Sequence, residues 1–258
     1  VPERFEAAIT TYEDRRFRRH PGVDPIALAR AVYLNTKERE IVSGGSTLTM
    51  QVARMARGNR PRTYGQKLVE IVWSLRLEIG TSKDEVLAMY AANAPFGGNV
   101  VGLEAAAWRY FGRGPADLSW AETAMLAVLP NSPGLIHPGR NRDRLRAKRD
   151  ALLAQLHERG VLDATELRLA VLEPLPEQPV PLPRLAPHLL ETLVERRPDR
   201  QRRFESTLDP GVQRATSRVV AEQGRILESM GIRNAAVVVV DNQTLDVLGY
   251  VGNSRGSV

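Results

Sequence analysis

Residues 63–79, Thr-Tyr-Gly-Gln-Lys-Leu-Val-Glu-Ile-Val-Trp-Ser-Leu-Arg-Leu-Glu-Ile, decide the fold class of the larger part of this chain. Leu68, Ile71, Val72, Leu75 and Ile79 recur at helical spacing and make one apolar stripe, with none of the strict alternation of a half-buried strand. Lys67 and Glu70, three residues apart, then share the side away from that stripe. Outward from this segment the same grammar repeats. Asp24 before Pro25 is an N-cap with proline at the first helical position, and Ser82 with Glu85, Ser119 with Glu122 and Asp163 with Glu166 fit the capping box. Strand-like runs are missing over the first 170 or so residues, so this part reads as mainly α.

The composition changes near Glu173. Pro174, Pro176, Pro179, Pro181, Pro183, Pro187 and Pro198 break any long helix and make residues 173–204 a proline-rich linker or wrapping segment. Beyond it, 209–228 reads as helix, and 235–240, 241–244 and 245–251 as strand, turn and strand. The organisation is therefore 1–172 as a helical domain, 173–204 as linker, and 205–258 as the unfinished α/β start of a second domain. Both ends look cut, since the chain opens on Val-Pro-Glu-Arg-Phe without methionine or signal peptide.

The 258 residues carry 36 Lys+Arg against 30 Asp+Glu, a net charge of +6, and no cysteine. Disulfide frames, zinc knuckles and thiol chemistry are excluded, while an anionic partner is favoured: nucleic acid, an acidic membrane or a phosphorylated substrate. Few aromatics, no recognised reader motif and scattered basic clusters argue against nucleic acid. The charge-free run 86–103 carries Asn93, Pro95, Gly97, Gly98 and Asn99, so it reads as a short helix and a turn rather than a membrane span.

Two stretches could carry chemistry. Glu13-Asp14-Arg15-Arg16-Phe17-Arg18-Arg19-His20-Pro21-Gly22 sets paired acids before an aromatic and basic turn, a pattern that by itself also suits a solvated helix end. Ser43-Gly44-Gly45-Ser46-Thr47-Leu48-Thr49-Met50-Gln51 offers a glycine pair for close backbone approach, with hydroxyls and an amide suited to a sugar or phosphate. Arg54, Arg57, Arg60, Arg62 and Lys67 follow with no acid before Glu70, and cations beside such a loop suggest an anion site. The run Arg140, Arg142, Arg144, Arg146, Lys148 and Arg149 reads instead as the solvated face of a helix, the alternative being contact with anionic headgroups. His137, His157 and His188 have no partner at metal spacing, His20 reads as a loop brace, and Trp73, Trp108 and Trp120 read as core or interface.

In order along the chain, Glu-Asp-x-x-Phe-x-x-His-x-Gly at 13–22, Gly-Gly-Ser-Thr-Leu-Thr-x-Gln at 44–51, Lys67-x-x-Glu70, Lys83-Asp84-Glu85-x-Leu87-x-x-Tyr90 and Gly102-x-Glu104-Ala-Ala-Ala-x-x-Tyr110-Phe111-Gly112 resemble the motifs of the family 51 peptidoglycan glycosyltransferases. The resemblance covers about residues 5–140. Ala94-Pro95-Phe96-Gly97-Gly98 and Ala124-Met125-Leu126-Ala127-Val128-Leu129-Pro130 are most similar to the 1C branch of the class A penicillin-binding proteins, and Thr207-Leu208-Asp209-Pro210 with 236–241 resembles the start of their transpeptidase domain.

The resemblance implies a lysozyme-like helical fold and an enzyme that polymerises lipid II at the periplasmic face of the bacterial inner membrane, with inversion and release of a polyprenyl diphosphate. By motif position Glu13 is the base that takes the proton of the attacking sugar hydroxyl, and Glu70 the second carboxylate, orienting the donor and leaving group. Arg54, Lys67 and Arg62 are the cations for the diphosphate, while Ser46, Thr47, Gln51 and Tyr90 carry over as substrate contacts. Met50, Gln66 and Ala92 depart from the usual family residues, and Gln66 removes one cation. The implied partners are lipid II, the growing glycan strand, a membrane surface and other cell-wall synthesis proteins, with no nucleic acid. No cofactor is required and no metal site is predicted. A lysozyme-like hydrolase or lytic transglycosylase is the alternative, since two acids flanking a glycosidic centre define the bond better than the direction of reaction. No serine is followed three residues later by lysine and Lys-Thr-Gly is missing, so acylation by penicillin is not expected of these residues.

Overall fold

The computed structural model describes residues 1–38, 45–58, 63–97, 99–131, 138–182, 184–196 and 204–252. Its backbone divides into two units, Val1–Leu182 and Pro183–Val258. The division falls inside the proline-rich stretch.

Among the described residues the first unit is built from helices: α1 (Glu3–Glu13), α2 (Pro25–Glu38), α3 (Leu48–Ala56), α4 (Tyr64–Gly80), α5 (Lys83–Asn93), α6 (Leu103–Phe111), α7 (Trp120–Val128), α8 (Arg142–Glu158) and α9 (Ala164–Leu172). The mainly α reading is borne out, and so are its start signals. Ser82, Ser119 and Asp163 each close a complete capping box, and Asp24 accepts from the Ile26 and Ala27 amides. At the centre lies α7, where Ala121 and every residue from Thr123 to Val128 are buried; a helix apolar all round belongs in a core. Helices α1 and α8 pack on it, with Phe5, Ile9, Leu145, Leu152, Leu153 and Leu156 fully enclosed.

The stripe on α4 forms but faces outward. Ile79 is 88% exposed, Leu68 66% and Val72 64%, whereas Glu70 and Ser74 on the opposite side are buried. The polar side is the one with partners: Glu78 accepts from Thr49 on α3 (2.6 Å) and from Lys83 (2.5 Å). Among the described residues no helix is long and apolar enough to cross a membrane.

The solvated-face reading of the basic run holds for Arg144 and Arg146 and fails for Arg149. Arg149 is 1% exposed; its guanidinium donates to the carbonyls of Glu173 (2.6 Å) and Val171 (3.1 Å) and pairs with Asp150 (2.8 Å). It falls on the same helical face as Leu145, Leu152 and Leu156, which α8 turns to the core. Arg142 likewise donates to the carbonyls of Leu175 and Pro176. These bonds fasten the start of the proline-rich stretch onto the helical unit, and Val180 continues it by exchanging backbone and side-chain bonds with Arg109.

In the second unit α10 (Pro187–Arg196) and α11 (Pro210–Ser229) accompany an antiparallel pair, β1 (Val237–Val240) and β2 (Val247–Val251), with Val238 opposite Tyr250. Proline at its first position lets α10 form inside the proline-rich stretch. The expected strand, turn and strand are present: Asp241 accepts from the amides of Gln243 and Thr244 to close the turn. Gln213 of α11 completes the hairpin by accepting from the Tyr250 amide (2.7 Å) and donating to its carbonyl (3.0 Å).

Candidate active site

Glu13 is the last residue of α1, and its neighbour Asp14 anchors that helix end. Asp14 is 5% exposed; it accepts from the Leu48 amide at the start of α3 (3.0 Å) and holds His20 Nε2 at 2.9 and 3.0 Å. His20 follows a 3₁₀ turn at Phe17–Arg19 whose Phe17 ring is buried under the Lys83 ammonium, 4.7 Å from the ring centre. Lys83 also donates to the His20 carbonyl (2.7 Å), so it braces the loop, and His20 is a brace as the sequence suggested. Gly22 has φ +88°, and a Cβ there would stand 2.6 Å from the Ser74 carbonyl oxygen, so glycine alone lets the loop lie against α4. Thr47 seals the junction: it is 2% exposed, donates to the Gly22 carbonyl (2.5 Å) and caps α3 by accepting from Met50 (3.1 Å). Its hydroxyl is thus taken up by the fold.

Against this frame Glu13 is half-buried, and each carboxylate oxygen accepts from one amide. Gln51 Nε2 of α3 donates to Oε2 (2.9 Å) and Asn131 Nδ2, just past α7, donates to Oε1 (3.3 Å). Burial pushes the Glu13 carboxyl above the ordinary range; the two amides and the charges of Lys148 and Arg54 pull the other way. Tyr12 and Tyr90 stand in the same field. Burial and the Glu13 charge push the Tyr12 hydroxyl up to about 12. The Tyr90 hydroxyl, 1% exposed and without a hydrogen-bond partner among the described residues, is raised well above the usual phenol range by burial first and then by Glu13, with Arg54 opposing.

Lys67 donates to the Ser46 hydroxyl, joining α4 to the glycine-rich loop. One turn on, Glu70 is 6% exposed and accepts no hydrogen bond among the described residues. The structure therefore joins Glu13 to Gln51, sets Arg54 and Tyr90 in its field, and joins Ser46 to Lys67. Arg62 lies outside the described residues. Asn131 and Lys148 were not singled out in the sequence: no local pattern marks Asn131, and Lys148 was grouped with a solvated run. Their common signal is position, since Asn131 follows the helix packed on α1 and Lys148 lies on the next. Among the described residues no three His, Asp or Glu side chains gather as a metal site.

An acid at a helix end, tied across 38 residues to a glutamine beside a lysine-bearing helix, is reached by residues 1–157, and those same residues match the model of the transglycosylase family. The chain belongs to the transglycosylase family. This transglycosylase is 37% identical over 98% of its length to penicillin-binding protein 1C of Escherichia coli, of which it covers 32%. It is 38% identical over 68% of its length to a putative transglycosylase of Cupriavidus necator, covering 75% of that protein, and 30% identical over 98% to penicillin-binding protein 1B of Vibrio cholerae, covering 35%. The chain thus spans about a third of the two penicillin-binding relatives.

Proposed function

We propose that this chain is a peptidoglycan glycosyltransferase that extends glycan strands from lipid II, releasing polyprenyl diphosphate with inversion at the anomeric carbon. The observation that carries this is the Glu13 carboxylate. Burial raises its proton affinity above that of an ordinary glutamate, which suits a base, and an amide on each oxygen holds its orientation. Glu13 takes the proton of the acceptor's 4-hydroxyl as that oxygen bonds to the anomeric carbon. The bond to the diphosphate breaks, and its electron pair leaves with the phosphate. Charge grows on that leaving group, so Lys67, Arg54 and Arg62 lower the barrier, while Ser46 and Gln51 complete the donor site, Thr47 holds Ser46 in place, and Tyr90, enclosed in the core, backs Glu13 rather than touching the donor as the motif implied. Glu70, buried one turn from Lys67 and accepting no hydrogen bond among the described residues, orients the donor.

The outward apolar stripe of α4 supports work at a membrane surface, the periplasmic face of the inner membrane, where a lipid-linked donor resides. Residues 1–172 form the glycosyltransferase domain, 173–204 the linker and 205–258 the start of a transpeptidase domain. Without Ser-x-x-Lys or Lys-Thr-Gly these residues are not acylated by penicillin. A lysozyme-like hydrolase of neutral glycan has no use for the cations at Arg54 and Lys67. Incubation with lipid II, and separately with finished glycan, tests the direction: strand growth is expected, and shortening of glycan without growth refutes the transferase reading.

A further inference from the structure

Behind the Asn131 amide that holds Glu13 stands a cation with no part in the transfer itself, Lys148. Asn131 donates to Glu13 Oε1 while its own Oδ1 accepts from the Lys148 ammonium, both at 3.3 Å. An amide can donate to Glu13 in this geometry only with its NH2 turned toward the carboxylate, and a cation on its oxygen enforces that orientation. We propose that Asn131 and Lys148 are positioning residues for Glu13, Lys148 acting through the Asn131 amide to fix the carboxylate and favour its ionised form. The inference rests on Glu13 as the base.

Lys148 is placed for this role rather than for solvation. It is half-buried on α8, four residues after Arg144, and both burial and the Arg144 charge disfavour its proton while Glu13 favours it. Burial and Arg144 prevail and hold the Lys148 ammonium below the ordinary lysine range, with Glu13 opposing them. Among the described residues, the groups facing Glu13 are Tyr12 on its own helix, Gln51 and Arg54 on α3, Tyr90 on α5, Asn131 after α7 and Lys148 on α8. Asp14, its neighbour, is committed to His20 and Leu48. Arg54 is assigned to the departing phosphate, so among the described residues Lys148 is the other cation in the field of Glu13 and acts on the base itself.

The test reads the Glu13 carboxyl directly in the full chain, by carbon NMR titration of protein labelled at glutamate, with the signal assigned by its loss in Glu13→Gln. An opposite charge a few ångströms from a carboxyl lowers its midpoint by about 1–3 units, and less through an intervening group. Lys148→Met is therefore expected to raise the Glu13 midpoint by about half a unit or more, Lys148→Arg to leave it near wild type, and Asn131→Ala to raise it as well. The acidic limb of lipid II polymerisation should move the same way. Midpoints within about 0.2 unit of wild type in both Lys148→Met and Asn131→Ala overturn the proposal; if Lys148→Met does not fold, Asn131→Ala alone decides. Should Glu13→Gln retain turnover, the assignment of the base fails, a result separate from any movement of the midpoint.

Discussion

Replacing Asp14 with alanine removes the buried side chain that ties the end of α1 to the first amide of α3 and to His20. The carboxylate is 5% exposed, faces a His20 that is 6% exposed through contacts of 2.9 and 3.0 Å, and accepts from the amide of a fully buried Leu48 at 3.0 Å. A hydrogen bond to a charged group contributes about 1.5–3 kcal/mol, and a partner left buried and unpaired adds its desolvation cost. Loss of both contacts gives about 3–5 kcal/mol, the range found when one member of a buried pair is removed. Asp14→Asn keeps an oxygen for the Leu48 amide and should cost about half as much. All three tryptophans, Trp73, Trp108 and Trp120, lie in the first unit, so their fluorescence in a urea titration reports its unfolding without interference from the second. An Asp14→Ala cost below about 1 kcal/mol, or equal costs for alanine and asparagine, would refute the bracing role.

Glu13→Gln is expected to lower polymerisation by about 10²–10⁴-fold, the usual contribution of a positioned base, with circular dichroism unchanged; near-normal turnover removes Glu13 from the mechanism. The raised Glu13 carboxyl also makes a signed prediction about stability. The folded state holds this proton to higher pH than the unfolded chain, so its contribution is full below the ordinary glutamate range near pH 4.5 and is lost as pH rises through the folded value. Comparing wild type with Glu13→Gln by urea unfolding across that window should show the decline in wild type only, and parallel profiles refute it. Gly22→Ala forces a Cβ to 2.6 Å from the Ser74 carbonyl oxygen at a φ of +88°, costing about 1–3 kcal/mol in backbone strain before the clash is counted. A melting temperature within about 1 °C of wild type would show that the loop can lie elsewhere.

The helix starts were legible because a cap is a local transaction between a side chain and an amide three residues on, as at Ser82, Ser119 and Asp163. The facing of α4 was not. A stripe of Leu68, Val72 and Ile79 says that a helix has two sides, and it took the contacts of Glu78 with Thr49 and Lys83 to show that the polar side turns inward. Arg149 was misread for the same reason, since its carbonyl partners lie 22 and 24 residues further along. In the candidate site, motif order brought Glu13 and Gln51 to the same reading, whereas Asn131, 118 residues from Glu13, reaches it only through the packing of α7 on α1.

The buried guanidinium of Arg149 decides where the first unit can be severed. A chain ended at Leu172, where α9 stops, would strip Arg149 of the Glu173 carbonyl, Arg142 of those of Leu175 and Pro176, and Ser119 of the Glu173 carboxylate, and would open a gap where Leu175 is 2% exposed. Those losses fall around α7 and α8, the helices that carry Asn131 and Lys148 to Glu13. A shortened protein made to isolate the chemistry should therefore run to Leu182, past the clasp between Arg109 and Val180.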